Sequence, residues 1–399
     1  MLFDPISIQN IDFPNRAVFQ PMEGCDCKED GTPGELTWEK YKTAAASGAG
    51  TVWFEACAVL PEGRTNPRQM MLTKENLPQF QALVKETHTI AREKHGIRPI
   101  LILQLTHSGR QSINPIIAYR HPLYEAKKPV TDDRIISDEE LDRLSEAYAK
   151  STLLAMEAGF DGVDVKSCHG YLIQEFLSAF SRPGKYGGSF ENRTRLYRNC
   201  LKAAREALAG RGILSARLSV SDMIPKPYGF GTDEQGNPDL TEPDLLLRQM
   251  IQEGVSLLNV TLGNPYYNPH VNRPYRQGGY QPPESPETGL ARFVTVERHI
   301  KETFPQLPVV ASGLSYYRRD LMEKSEMLLQ SGVCDFVGYG RMSLAYPSFL
   351  TDYQKGNFQE KKCCLACSKC TTLMRNGQVS GCAVYHEYYR KLYKDFIKK

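Results

Sequence analysis

Cys364, Cys367, Cys370 and Cys382 form a C-x2-C-x2-C-x11-C pattern with Cys363 directly beside them, so five of the chain's eleven cysteines fall in one short stretch. Four thiolates can close a tetrahedral zinc site or hold a [4Fe-4S] cluster. Zinc ribbons usually carry two CxxC pairs far apart; three cysteines at successive short spacings plus a distant fourth suit the cubane cluster better. A second set of chemically able residues lies in "LQLTHSGR", which carries Gln104 and His107, and in "KSCHGYL", which brings Lys166, His169 and Tyr171 together. Arg217 stands inside the apolar run "LSARLS", while "VVASG" ends on Gly313 and "GYGR" on Gly340 and Arg341. Glycine at such ends lets backbone N–H groups approach and hold a phosphate.

The residues outside the cysteine motif share a position in the chain's rhythm. Each belongs to, or directly follows, one of eight short apolar runs, at 16–22, 51–60, 98–105, 162–167, 214–219, 256–262, 308–313 and 335–340. Near-continuous apolar runs without strict alternation suit parallel strands covered on both faces. The intervening segments read as helices. From Ser137, "SDEELDRLSEAYAKSTLLAMEAG" opens with a capping box of Ser137 and Glu140, spaces Leu141, Leu144, Tyr148 and Ala155 along one face, and stops at Gly159. Eight such β/α units predict a (β/α)8 TIM barrel over residues 1–356, followed by a cysteine-rich C-terminal extension over 357–399. Active sites of this fold sit at the C-terminal ends of the strands, where the candidate residues fall. No GxGxxG follows any of the runs, so a Rossmann domain is not indicated. The Pro-, Gly- and Asn-rich segment 264–289 reads as a long functional loop, with Tyr266, Tyr267 and His270 placed to roof the site.

Composition narrows the partners. Lys+Arg at 49 against Asp+Glu at 46 gives +3, too balanced for a nucleic-acid footprint, so a small molecule is the expected ligand. No apolar run approaches the length of a membrane span, and the start "MLFDPISIQNIDFPNR" lacks a signal peptide's basic and apolar regions. A cytoplasmic protein is expected, in which clustered cysteines bind metal or do chemistry.

The motifs "NRAVFQPM", "EACAVLPEGR", "LQLTHSGRQS", "GFDGVDVKSCHGYLIQEFLSAFSRPGKYGGSFENRTR", "ARLS" and "DFVGYGRMSLAYPSF" run in order through nearly the whole chain. They resemble the Old Yellow Enzyme flavoproteins, in particular the branch that includes 2,4-dienoyl-CoA reductase and trimethylamine dehydrogenase. The resemblance implies FMN at the strand C-termini. Pro21, Met22 and Ala56 would then line the flavin, with Glu23 close to its N5 and C4 carbonyl. Gln104 would bond its pyrimidine edge, and Arg217 would face N1 and the C2 carbonyl, where a fixed cation stabilises charge on the reduced ring. Gly313, Gly340 and Arg341 would hold the phosphate. The implied reaction is hydride transfer to the β-carbon of an alkene conjugated to a carbonyl. His169 would bond the substrate oxygen and Tyr171 would protonate the α-carbon; a phenol keeps its proton at neutral pH yet can give it to a carbanion. The cysteine motif is similar to the one that follows the eighth strand in that branch, which implies a [4Fe-4S] cluster relaying electrons to FMN.

Two residues depart from the pattern. Lys166 stands where many relatives have His or Asn; its ammonium would pair with a substrate carboxylate or with Glu23 or Glu55. Glu23 stands where relatives carry a small or neutral group, and where trimethylamine dehydrogenase attaches its flavin to a cysteine, so no covalent flavin through Cys25 or Cys27 is expected. The expected function is an FMN-dependent ene-reductase acting on an α,β-unsaturated carbonyl or enoate. The alternatives are an oxidative dehydrogenase of an amine or ketone on the same fold, and an electron-transfer subunit of a larger complex. Those relatives continue into FAD- and NAD(P)-binding domains, whereas this sequence ends at Lys399. A separate electron-donor protein, or NAD(P)H bound directly over FMN, is therefore the expected reductant, and homo-oligomerisation is compatible with the sequence.

Overall fold

An antiparallel hairpin, β1 (Ile6–Ile8) and β2 (Ile11–Phe13), begins the chain in the computed structural model, which describes residues 1–276 and 278–398. Gln277, within the long loop read from the sequence, and Lys399, at the end of the extension, lie outside the described residues. Eight parallel strands follow: β3 (Ala17–Phe19), β4 (Thr51–Ala58), β5 (Ile100–Thr106), β6 (Gly162–Val165), β7 (Ile213–Ser219), β8 (Leu257–Thr261), β9 (Val309–Ala311) and β10 (Phe336–Tyr339). They pair in chain order and β10 returns to β3, closing the barrel that the eight apolar runs predict. The hairpin was not foreseen. Ile8 and Phe13 pack with inward-facing Val18, Trp53, Ile100, Ile102, Ile213, Leu257, Val310 and Phe336, so it closes the barrel's lower end and leaves the upper end for chemistry.

Strand period 2 divides each run between two cores. On β5, Ile100 and Ile102 face the interior, while Leu101 and Leu103 join the larger cluster beneath the outer helices. The helix Asp138–Ala158 shows how those helices are specified. Ser137 and Glu140 form the reciprocal capping box, Leu141, Leu144, Tyr148 and Ala155 are buried, and Gly159 ends the helix in the left-handed region at φ 93°. Each fully buried leucine of this layer contributes about 1.5–3 kcal/mol relative to exposure.

The segment beyond 356 lies on the barrel. Ser380 N–H donates to the Gly24 carbonyl at 2.7 Å, an Arg68 guanidinium N–H donates to the Gly377 carbonyl at 2.8 Å, and His386 meets Glu39 at 3.1 Å. The terminal helix Glu387–Ile397 buries Tyr389 against Leu373, Val379 and Ala383. Among the described residues, no helix is long and apolar enough to cross a membrane.

Candidate active site

One cavity at the C-terminal ends of the strands has about 1100 Å3 of non-atom space, part of it open to solvent. Its wall includes Pro21, Met22, Glu23, Ala56, Gln104, Lys166, His169, Tyr171, Arg217, Gly313, Gly340 and Arg341, the residues expected to meet flavin or substrate. Barrel closure explains the convergence, because each strand releases its last side chain at the same rim.

Asp164, invisible to the motif reading, organises the floor. This fully buried carboxylate accepts from Gln104 Nε2 at 2.6 Å, from Trp53 Nε1 at 3.0 Å and from the Arg217 backbone N–H at 2.7 Å. Its signal was a lone charge inside the apolar run "GVDV". Gln20 and Asn259 exchange reciprocal amide bonds at 3.1 and 2.8 Å beside it. A Cβ on Gly338 would stand 1.9 Å from Gln20 Nε2, so any side chain there would displace the Gln20 amide.

The polar wall is arranged by an unusual turn. His169 and Gly170 are both left-handed, at φ 67° and 70°, which aims His169 and Tyr171 into the same cavity. Tyr171 donates to Glu23 Oε2 at 3.1 Å, and Thr65 donates to Glu23 Oε1 at 2.9 Å. Lys166 Nζ lies 3.7 Å from the centroid of the Tyr171 ring, a cation–π contact. Burial, then the adjacent Glu23 charge, pushes the Tyr171 phenol well above its ordinary value. Burial lowers Lys166, and burial followed by the charges of Arg217 and Lys166 holds His169 neutral.

Several expectations need correction. Glu55 is not the partner of Lys166: it pairs with Lys40, which also holds Asp26 at 3.0 Å, and accepts from Gly24 N–H at 2.7 Å. Among the described residues Lys166 makes no ion pair; it lines the cavity and lies over the Tyr171 ring. His107 turns away from the cavity and accepts the Gly109 N–H at 3.1 Å on Nδ1. Of the three proposed roof residues only Tyr266 lines the cavity. Tyr267 sits under Lys127, and His270 bonds Tyr280, since a short helix at Pro269–Asn272 bends the loop away.

The cavity has donors in need of an acceptor. Arg217 Nε, Arg341 Nη1, Arg273 Nε and His169 Nε2 are buried without protein partners among the described residues. Arg273 and Arg375, neither foreseen, stand with Arg341 on one side, and burial plus these neighbours lowers Arg273 to about 10. A cation at the floor, glycines at the ends of β9 and β10 and a cluster of arginines beside them fit a planar anionic cofactor with a phosphate tail, as FMN has.

Cys364, Cys367, Cys370 and Cys382 line a second, smaller cavity, whereas Cys363 is packed into the core. Left-handed Ala366 and Ser368, at φ 51° and 58°, fold the CxxCxxC loop so that its thiols share one side. Among the described residues, no three His, Cys, Asp or Glu side chains gather as a single ion requires. Arg341 and Cys370 line both cavities, so the cysteine cavity shares a wall with the larger one.

The family model described as "NADH:flavin oxidoreductase / NADH oxidase family" matches residues 1–240. Among curated relatives, an NADPH dehydrogenase of Geobacillus sp. is 31% identical over 87% of this chain and 92% of its own. An NADH oxidase of Thermoanaerobacter brockii is 26% identical over 92% of this chain, which spans only 52% of that protein's length. Among solved structures, a 2-naphthoyl-CoA reductase in complex with 2-naphthoyl-CoA shares the fold at TM-score 0.79 and 21% identity, covering 96% of this chain and 56% of that one. An Old Yellow Enzyme homologue from Zymomonas mobilis does so at 0.66 and 22%, covering 89% and 92%.

Proposed function

Because the chain belongs to the NADH:flavin oxidoreductase / NADH oxidase family, that of Old Yellow Enzyme, we propose that it is an FMN-dependent oxidoreductase reducing an activated C=C bond of an unsaturated carbonyl or enoate. The observation that carries this reading is the single cavity in which Gln104, Arg217 and the Gly313, Gly340 and Arg341 cradle face Lys166, His169 and Tyr171. Bound FMN would supply the hydride. Gln104, steadied by Asp164, would hold its polar edge; Arg217 would present a cation to the same end, and Gly313, Gly340, Arg341 and Arg273 would hold the phosphate. His169, kept neutral, and Lys166 would bond the substrate's carbonyl oxygen, drawing charge away from the alkene. Tyr171 would then deliver its proton to the α-carbon. The ammonium 3.7 Å from its ring centroid stabilises the phenolate left behind.

For the cysteine cavity we propose a [4Fe-4S] cluster rather than zinc. A zinc ion with Zn–S near 2.3 Å draws its four sulfurs to about 3.8 Å from each other, whereas a cubane spreads them over its corners and suits four thiols around a shared cavity. The wall shared through Arg341 and Cys370 supports electron delivery from this site to the flavin site.

The test is anaerobic purification with quantitation of FMN, iron and zinc, followed by reduction and mixing with cyclohex-2-enone. Expected are flavin bands over broad iron–sulfide absorbance, about four irons per chain, and reoxidation by the enone that falls by ~10²–10⁴ in Tyr171→Phe. Reoxidation at the full rate in that variant would refute the assignment.

A further inference from the structure

Glu23 lies on the boundary between two spaces. One is the active-site cavity; the other is a side cavity lined by Glu23, Cys25, Thr65, Asn66, Gln111, Tyr266, Met374, Arg375 and Gly377, of which Arg375 and Gly377 are exposed. One Glu23 oxygen accepts from the Tyr171 hydroxyl at 3.1 Å, and the other accepts from Thr65 at 2.9 Å on the side-cavity wall. The carboxylate thus touches the proton donor on one face and an exit toward solvent on the other.

Resting on the ene-reductase reading above, we infer that Glu23 relays protons from the side cavity to Tyr171, restoring the phenol after each turnover. The need for such a relay is physical. A phenolate formed beside an ionised Glu23 would place two negative charges in hydrogen-bond contact within a largely buried site. A proton delivered through Glu23 from the side cavity removes that repulsion and arrives where the phenolate needs it. In each cycle the flavin's hydride forms the C–H bond at the β-carbon, and the Tyr171 O–H breaks as its proton forms the C–H bond at the α-carbon. Glu23 then takes a proton from solvent in the side cavity and passes it to the Tyr171 oxygen, which restores the carboxylate to which the Tyr171 hydroxyl donates. The sum is addition of a hydride and one solvent proton across the alkene, so charge and atoms balance. The groups facing Glu23 and Tyr171 are Thr65, Cys25, Tyr266 and Lys166, with Arg375 at the mouth of the side cavity. Lys166, 3.7 Å from the Tyr171 ring centroid, and Arg375 offset the negative charge of the pair until the proton arrives.

The test compares wild type, Glu23→Gln, Glu23→Ala, Glu23→Asp and Tyr171→Phe, with reduced methyl viologen as donor and cyclohex-2-enone as acceptor. Glu23→Gln keeps an acceptor for Tyr171 and a partner for Thr65, so a folded, flavin-loaded variant is expected. Its steady-state rate should fall about 10–100-fold, less than the ~10²–10⁴ that a direct proton donor contributes, because Glu23 acts through Tyr171. The pH profile should steepen, and Asp should restore most of the rate. Formate added to Glu23→Ala should also restore turnover, which a purely structural carboxylate would not allow. Wild-type rates and pH profile in Glu23→Gln, or no rescue by formate or Asp, would overturn the relay while leaving the ene-reductase reading intact if Tyr171→Phe is slow. A fast Tyr171→Phe enzyme would overturn both.

Discussion

Lys166 is the residue whose chemistry differs most from a neutral carbonyl-binding side chain. It is buried, its pKa is lowered by that burial, and its contacts are an aromatic ring and the cavity. A cation with no ion pair among the described residues favours a ligand that brings a counter-ion. Lys166→Met is therefore expected to lower kcat/KM for an unsaturated carboxylate at least tenfold more than for a neutral enone. The check is a pair of kcat/KM ratios for an enoate and a cyclic enone of similar size, and equal losses would remove the charge-pairing role. Legibility at this scale was uneven. Lys166, His169 and Tyr171 could be read because they sit in one short motif, whereas Asp164 and Arg273 could not. Asp164 declares its role only through Gln104 and Arg217, which reach it from neighbouring strands.

At the scale of elements, the loop of 363–370 and the helix Lys369–Arg375 do two jobs. They present three thiols, Cys364, Cys367 and Cys370, to the cavity that Cys382 completes, and put Cys370, Met374 and Arg375 on the wall of another. Cys364→Ser is expected to reduce iron to below about one per chain, since an all-cysteine cubane uses four thiolates, while FMN content stays near wild type because Cys364 lines only the cysteine cavity. Metal and flavin analysis of the same preparation checks this. Zinc in place of iron, or flavin lost together with metal, would separate the two sites differently from the arrangement drawn here. The loop 264–289 was legible as a loop, but the turn of helix within it was not, because four residues are too few to show a period.

For the molecule as a whole, buried histidines set an acid limit. His107 and His121 are held neutral to about 4 by burial. An unfolded histidine binds its proton near 6.5, so the unfolded state takes up protons that the folded state refuses. Their contribution to stability is complete above about pH 6.5 and is lost as pH falls from 6.5 toward 4, by ~3 kcal/mol for each of the two. Urea unfolding across that window should show the decline. His107→Asn, whose side-chain oxygen can still accept the Gly109 N–H, should remove the His107 share, about 3 kcal/mol, and leave that of the other buried histidines, His88 and His169 among them. An unchanged slope in that variant would assign the decline to carboxylates instead.

The order of strands, the capped helices between them and the rim position of the candidates follow from local information: periodicity, caps and glycine placement act within a few residues. That is why the barrel and most of its wall could be read from the chain alone. Contacts between distant residues were decided only by tertiary structure. Glu23 meets Tyr171 across 148 positions, Lys40 rather than Lys166 neutralises Glu55, the N-terminal hairpin plugs the lower end, and Arg341 and Cys370 form a wall common to two cavities. No local rule encodes such pairings, because they are set by where closure of eight strands and the paths of the connecting loops bring side chains together, and by which buried charges then find a partner.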